Sequence, residues 1–137
     1  MFIPSMILKQ LYTNGSLENI DSGVKFSIKN RLKDSKLIQL SGISINGDKI
    51  PLKDIKLDLG NGEPIAADSI SKSSPVEFPL KKTLTVLLNI EKLKVGKHEI
   101  EISVQAKPFG KIKFGVDDAI VDSKTKVVRI PRSEEDD

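Results

Sequence analysis

Alternation of apolar and polar residues is the feature that most restricts the fold of this chain. Within Leu93–Gln105, the run Ile100–Val104 alternates shortly after Gly96, which can take a positive φ without steric cost. Successive side chains of a strand point to opposite faces, so this run predicts a strand with one face in a core and one in water. The run Thr83–Glu91 alternates in the same way, and the two together predict a β-hairpin at the centre of a sheet.

The same alternation recurs along the chain, with turn signals about every 8–12 residues. The further alternating runs are Val24–Ile28, Ile55–Leu59 and Ile112–Val116, and a longer strand is predicted at Leu37–Ile45. Asn46-Gly47 between apolar runs is typical of a type I′ hairpin turn. The predicted fold class is therefore all-β: a single-domain antiparallel β-sandwich, immunoglobulin-like, with roughly seven to nine strands.

Three segments depart from the regular alternation. We predict a short edge strand at Met6–Thr13, and an edge strand or loop at the Pro-containing segment Ser73–Pro79. Pro64–Ser71 is the only candidate helix, with at most about two turns. No amphipathic helix of crossover length is present, which argues against an α/β fold.

The predicted domain organisation is one β-sandwich over residues 1–120 and a charged C-terminal tail over residues 121–137. In the tail the basic residues Lys124, Lys126, Arg129 and Arg132 precede the acidic run Glu134–Asp137. Its apolar run Val127–Ile130 could add to a sheet edge.

Composition limits the kinds of partner and site. The 137-residue chain has a net charge of +3 and a pI near 9.0, but only three arginines and 4% aromatic residues. Nucleic-acid binding usually combines a concentrated basic patch with stacking aromatics, so we expect a solvated Lys-rich surface and no nucleic-acid partner.

The absence of cysteine excludes disulfides, Cys-ligated zinc and iron–sulfur clusters. No apolar run reaches membrane-span length and no signal peptide is visible, so we expect a cytoplasmic protein without a membrane partner. Richness in Lys and Ile hints at a thermophile.

His98, the only histidine, and the pair Asp117-Asp118 are the first residues to test for chemistry. Strict alternation places His98 on the same face as Ile100, which favours a structural position at the margin of the core. One histidine without cysteine cannot build a zinc site. Asp117 and Asp118 could contact a divalent cation, but adjacent strand residues point to opposite faces and cannot chelate it jointly.

Other polar positions also have structural interpretations. Asp54 and Asp58 lie among lysines and are typical of a solvated face, and Gly60–Gly62 lacks the Lys-Ser/Thr and helix of a phosphate-binding loop. We therefore predict no catalytic, cofactor-binding or metal residues and no cofactor.

Three segments, in the same order along the chain, carry a resemblance to a known family. They are Asn14–Asn19 followed by Gly23–Phe26, then Ile43–Ile50, then Leu93–Ile100 with its Leu-x-x-Gly-x-His-x-Ile pattern. On these segments the chain resembles the small β subunit of bacterial C-glycoside deglycosidases and its short archaeal relatives.

The resemblance implies a β-sandwich that packs on a larger TIM-barrel subunit of the sugar-isomerase type, which carries the metal and the acid–base residues. We therefore expect a non-catalytic accessory subunit of a C-deglycosidase-like lyase, inactive by itself. The alternative is a free-standing β-sandwich binding or structural module, and self-association through sheet edges is a further expectation. Short archaeal relatives sometimes carry a hydroxymethylglutaryl-CoA reductase label. Since the sequence has no nucleotide fingerprint and is too short for that catalytic domain, we expect this label to be unsupported.

Overall fold

The computed structural model describes residues 3–121, which form two antiparallel β-sheets packed face to face. Strands account for 54% of these residues and helices for 11%, so the predicted all-β sandwich is confirmed. The described residues contain ten strands rather than seven to nine, and two of the ten are only two residues long. Residues 122–137, which make up all of the predicted tail after Val121 and include Val127–Ile130, lie outside the described residues.

The strands are β1 Glu18–Ile20, β2 Gly23–Lys29, β3 Ser35–Ile45, β4 Asp48–Lys49, β5 Ile55–Asp58, β6 Ile65–Ala66, β7 Val76–Phe78, β8 Thr83–Leu88, β9 Gly96–Lys107 and β10 Gly110–Ile120. The helical elements are α1 Ser5–Leu8 and the short 3-10 helices Lys9–Leu11, Leu52–Asp54 and Ala67–Ser69. Sheet A has the order β1-β2-β8-β5-β6, and sheet B has the order β10-β9-β3-β4, with β7 also paired to β3.

The predicted hairpin between the runs at Thr83–Glu91 and Leu93–Gln105 is wrong. Both runs form strands, but β8 pairs with β2 and β5 in sheet A, whereas β9 pairs with β3 and β10 in sheet B. Alternation shows that one face of a strand is buried, but the two sheets of a sandwich bury equivalent faces and give the same pattern. The hairpin partner of β9 is β10, and the two strands are joined by a turn at Pro108 and Phe109.

The predicted edge strand at Met6–Thr13 is also wrong, because this segment forms α1 and a 3-10 helix. The helical conformation brings Leu8 and Leu11 to one side, where both are buried, and Tyr12 follows in an extended conformation and is buried as well. Only Tyr12 makes a β-bridge, with Ile28 of β2.

The candidate helix at Pro64–Ser71 does not form either. The segment contributes β6, which pairs with β5 through Lys56–Ala66 and Leu57–Ile65, and then a 3-10 turn. Strand pairing has overridden the helix propensity of the two alanines, as tertiary context often does. The edge strand predicted as one of two possibilities for Ser73–Pro79 is confirmed, since this segment contains the short strand β7, which pairs with β3.

Apolar residues of both sheets fill the space between them. The largest fully buried side chains are Val24, Phe26, Ile43, Ile55, Leu57, Val86, Leu88, Ile100 and Ile102. Ile102 is buried and its neighbour Glu101 is exposed, so the predicted register of β9 is confirmed.

Two glycines meet specific backbone requirements. Asn46 and Gly47 have φ values of 54° and 85° in the two-residue loop between β3 and β4, which confirms the type I′ turn. Gly23 has φ 143°, and a Cβ there would lie 2.1 Å from the backbone oxygen of Leu88. The close approach of β2 and β8 therefore requires glycine at position 23.

Candidate functional site

His98 is a buried structural residue, as its position in the alternation predicted. Its Nε2 lies 2.7 Å from the Lys94 carbonyl oxygen and must donate to it, because a carbonyl can only accept. Its Nδ1 lies 2.9 Å from the side-chain nitrogen of Asn46. The side-chain oxygen of Asn46 accepts a hydrogen bond from the backbone N–H of Glu99 at 2.9 Å. In the neutral ring Nδ1 accepts from Asn46, so both ring nitrogens are used to hold the β3–β4 turn and the start of β9.

Asp117 and Asp118 point to opposite sides of β10, as expected. Asp117 is exposed and forms an ion pair of 3.3 Å with Lys97 on the outer face of sheet B. Asp118 is half-buried and points toward the N-terminal segment. The two carboxylates therefore do not converge on one cation.

The Asp118 carboxylate anchors the segment that precedes β1. Its Oδ2 accepts hydrogen bonds from the Tyr12 hydroxyl at 2.6 Å, the Gly15 N–H at 3.0 Å and the Leu17 N–H at 3.1 Å. Its Oδ1 accepts from the Ala119 N–H at 2.8 Å. We call Tyr12, Gly15, Leu17 and Asp118 the clasp.

Burial and the carboxylate act together on Tyr12. Its side chain is 2% exposed and packs on Phe26 with ring centroids 5.6 Å apart. Desolvation, followed by the hydrogen bond to Asp118, raises the pKa of Tyr12 well above its ordinary value of 10.0. The hydroxyl therefore stays protonated at neutral pH and acts as a hydrogen-bond donor.

The clasp joins the two sheets along one side of the sandwich. Tyr12 and Thr13 continue the edge of β2, where the Thr13 N–H donates to the Ser27 carbonyl at 3.0 Å. Asp118 belongs to β10 in the other sheet, and α1 also packs against β10. The N-terminal segment thus contacts the longest edge strand among the described residues, at the kind of edge that proteins commonly protect from pairing.

Asn30 forms a second polar cluster at one end of the sandwich and is 2% exposed. Its side-chain nitrogen donates to Lys33 O at 2.8 Å and to Phe78 O at 2.6 Å. Its side-chain oxygen accepts the Leu32 N–H at 3.0 Å. Together with a 3.3 Å contact to Ser35 Oγ, these bonds tie the β2–β3 loop to β7. We call this group the Asn30 cluster.

Asp54 and Asp58 each accept a hydrogen bond from a backbone N–H. Asp58 Oδ1 caps the turn at Gly60 by accepting its N–H at 2.8 Å, and the backbone oxygen of Asp54 accepts from the Asn89 N–H at 2.8 Å. Among residues 3–121, no three His, Cys, Asp or Glu side chains come together as metal ligands.

Among the concave spaces that residues 3–121 form, two are of interest as ligand sites. The space between the sheets is an apolar cavity of about 60 Å³, lined by core residues such as Ile28, Leu40 and Phe114. A groove of about 330 Å³ lies on the outer face of sheet B, with Lys9, Glu99 and Asp117 among its lining residues.

Sequence reasoning missed the roles of Tyr12, Asn30 and Asp118. Asn30 directly follows β2, and an Asn at the end of a strand is a recognisable signal for a turn stabilised by its own side chain. The partners Tyr12 and Asp118 are separated by 106 positions, so no local pattern links them.

Comparison with known families gives a definite assignment. The family model for the N-terminal domain of hydroxymethylglutaryl-CoA reductase matches residues 7–121, which is more than half of the chain. The chain belongs to this family. The match includes the whole N-terminal segment from Ile7 through the clasp and ends one residue after β10.

This assignment corrects two expectations. The resemblance to the C-glycoside deglycosidase β subunit is wrong, because the reductase N-terminal domain is a different family. The expectation that a reductase label would find no support is wrong too. The segments that suggested the resemblance, such as Asn46-Gly47 and Leu93–Ile100, follow turn and strand rules that unrelated β-sandwiches share.

No curated protein matches the sequence of this reductase N-terminal-domain family member. Within residues 3–121, none of the helices has the length and apolar character needed to cross a membrane.

Proposed function

We propose that this chain is a non-catalytic β-sandwich that associates with a hydroxymethylglutaryl-CoA reductase catalytic chain. The observation that carries the proposal is how the polar groups of the described residues are used. The described part of the chain has three buried polar residues, Asn30, Ser35 and His98, and the side chain of each makes hydrogen bonds within the domain. Side chains committed in this way stabilise loops rather than act on a substrate.

The family assignment supplies the partner in this proposal. The family is named for a domain of the reductase, so a reductase catalytic chain is the natural candidate for association. The absence of cysteine is in keeping with a cytoplasmic location for such an assembly.

The outer face of sheet B is the surface we assign to the partner. Its middle carries Gly42, Ser44, Ser103, Gln105 and Gly115 together with the ion pair between Lys113 and Glu101. The outer face of sheet A carries Lys25, Lys29 and Lys56, so lysines occur on both faces. The strands β3, β9 and β10 of sheet B have 11 or 12 residues each, whereas β2 and β8 of sheet A have 7 and 6. A stable interface needs a wide face, so sheet B is the better one for docking.

The test is association of the purified chain with the reductase catalytic chain of the same organism, followed by size-exclusion chromatography and a reductase assay. We expect no activity from this chain alone and a stable complex that buries at least about 1,200 Å². Ser103→Arg should abolish the complex, whereas Thr85→Arg at a matched half-buried position on sheet A should leave it intact. Failure of the two chains to co-elute at moderate salt would overturn the proposal.

A free-standing binding module is the second candidate. The groove on sheet B supports it, because about 330 Å³ falls within the size range of small-molecule sites. A chain that stays monomeric beside the catalytic chain but binds a small charged ligand through Lys9 and Asp117 would favour this function.

A further inference from the structure

Three Asn-Gly pairs occur in the chain, at Asn14-Gly15, Asn46-Gly47 and Asn61-Gly62. In such a pair the backbone nitrogen of glycine can attack the side-chain amide of the preceding asparagine. Attack is least hindered at glycine because it has no Cβ. The sequence alone gives the three pairs equal standing, whereas the structure separates them.

We propose that Asn61 is a site of spontaneous deamidation in the folded protein, and that the fold protects Asn14 and Asn46. The Gly62 nitrogen forms a bond to Asn61 Cγ and closes a succinimide ring. The side-chain nitrogen of Asn61 leaves as ammonia, carrying the proton lost from the Gly62 N–H. Water then opens the ring at either carbonyl, which gives aspartate or isoaspartate.

Asn61 has the freedom that ring closure requires. It is exposed in the loop between β5 and β6, and both flanking glycines have positive φ values, 79° at Gly60 and 151° at Gly62. Among the residues described, neither the Asn61 side chain nor the Gly62 N–H takes part in a hydrogen bond. Nothing within residues 3–121 therefore has to break before Gly62 reaches the amide carbon.

Asn46 is held at its electrophilic end. Its side-chain nitrogen contacts His98 Nδ1 at 2.9 Å, and its side-chain oxygen accepts the Glu99 N–H at 2.9 Å. Rotation of the amide toward Gly47 would break both bonds, so the reaction at Asn46 carries an extra free-energy cost.

Asn14 is protected at the nucleophile instead. The Gly15 N–H donates to Asp118 Oδ2 at 3.0 Å, and a hydrogen bond to a carboxylate is stronger than one between neutral groups. Gly15 must leave the clasp before its nitrogen can attack, so the clasp slows the reaction at Asn14.

The experiment is incubation of the intact protein in mildly alkaline buffer, with peptide masses measured at all three pairs in the same samples. We expect Asn61 to react about tenfold faster than either other site, because each of those must first break a hydrogen bond. Each event lowers the formal net charge by one, from +3 to +2, so cation exchange should resolve the product. In concentrated urea the three rates should converge.

Two variants sharpen the test. Gly62→Ala should suppress the reaction at Asn61 and leave the other sites unchanged. Asp118→Ala, if circular dichroism shows it folded, should raise the rate at Asn14 alone. Equal rates in the folded wild-type protein would overturn the proposal. Faster reaction at Asn14 would also overturn it, since Asp118 would then be acting as a base rather than a restraint.

Discussion

The Asn30 cluster and the clasp both tie a loop to a distant strand, but they use different chemistry. Asn30 is a neutral amide, 2% exposed, and its partners are mainly backbone groups within one end of the sandwich. Asp118 is a carboxylate at a half-buried position. A neutral amide can be fully buried once its hydrogen bonds are made, whereas burying a carboxylate adds a large desolvation cost. The neutral group therefore lies inside and the charged group lies at the rim.

The largest expected effect comes from Asn30→Ala. The substitution leaves Leu32 N–H and Phe78 O with fewer partners in a buried place, so we expect a loss of about 3 kcal/mol in the free energy of unfolding. Chemical denaturation measures it. Asn19→Ala is the matched control, because Asn19 makes two 2.9 Å bonds to Leu93 at a half-exposed position and should cost about 1 kcal/mol. Equal losses would show that burial does not set the difference.

Asp118→Ala should have the next largest effect. It removes the acceptor of three donors from the N-terminal segment, and we expect a loss of about 2 kcal/mol, since water can reach part of the exposed donors. Asp117→Ala, one residue away, breaks only the exposed pair with Lys97 and should cost less than about 1 kcal/mol. Thermal unfolding of the two variants makes the comparison. A larger loss at Asp117 would contradict the clasp.

The ionisation of Tyr12 should have no effect on stability at neutral pH, and its effect should appear only in alkali. Burial and Asp118 raise the folded-state pKa above 10.0, so the unfolded chain loses the phenolic proton first. Stability should be unaffected below a pH of about 10 and should fall as the pH rises above it. Tyr12 is the only tyrosine and the chain has no tryptophan, so phenolate absorbance reports this group alone.

Tyr12→Phe is the control for this pH dependence. It should flatten the alkaline loss of stability while costing about 1 kcal/mol at neutral pH, which corresponds to one hydrogen bond. Ordinary titration of Tyr12 in the folded protein would mean that the ring is not held as described.

The sequence predicted the strands far better than their arrangement. Alternation located β2, β5, β8, β9 and β10, because burial of one face leaves a period of two in any sheet. It did not predict that β8 and β9 lie in different sheets, since pairing partners leave little mark on a single strand. The segment Met6–Thr13 was misassigned because a short apolar run fits a strand as well as a helical turn.

The candidate site divides in the same way. The structural role of His98 could be predicted from its place among alternating residues, and so could the opposite directions of Asp117 and Asp118. The clasp could not be predicted from the sequence, because Tyr12 and Asp118 meet only when both sheets are assembled. Local rules describe a residue's face, whereas such a contact depends on the whole topology.

The order of the strands has a consequence for how this protein reaches its native state. Within residues 3–121 the chain passes between the sheets at β2–β3, β4–β5, β6–β7, β7–β8 and β8–β9. Neither sheet can be completed from one continuous piece of chain, because the pairings β2–β8, β5–β8 and β3–β9 that join the local hairpins each close a long loop. Such a topology favours slow refolding, in milliseconds to seconds, and a single cooperative transition. Fragments that end before β8 would leave β2 and β5 without the strand between them, and we expect them to aggregate rather than fold.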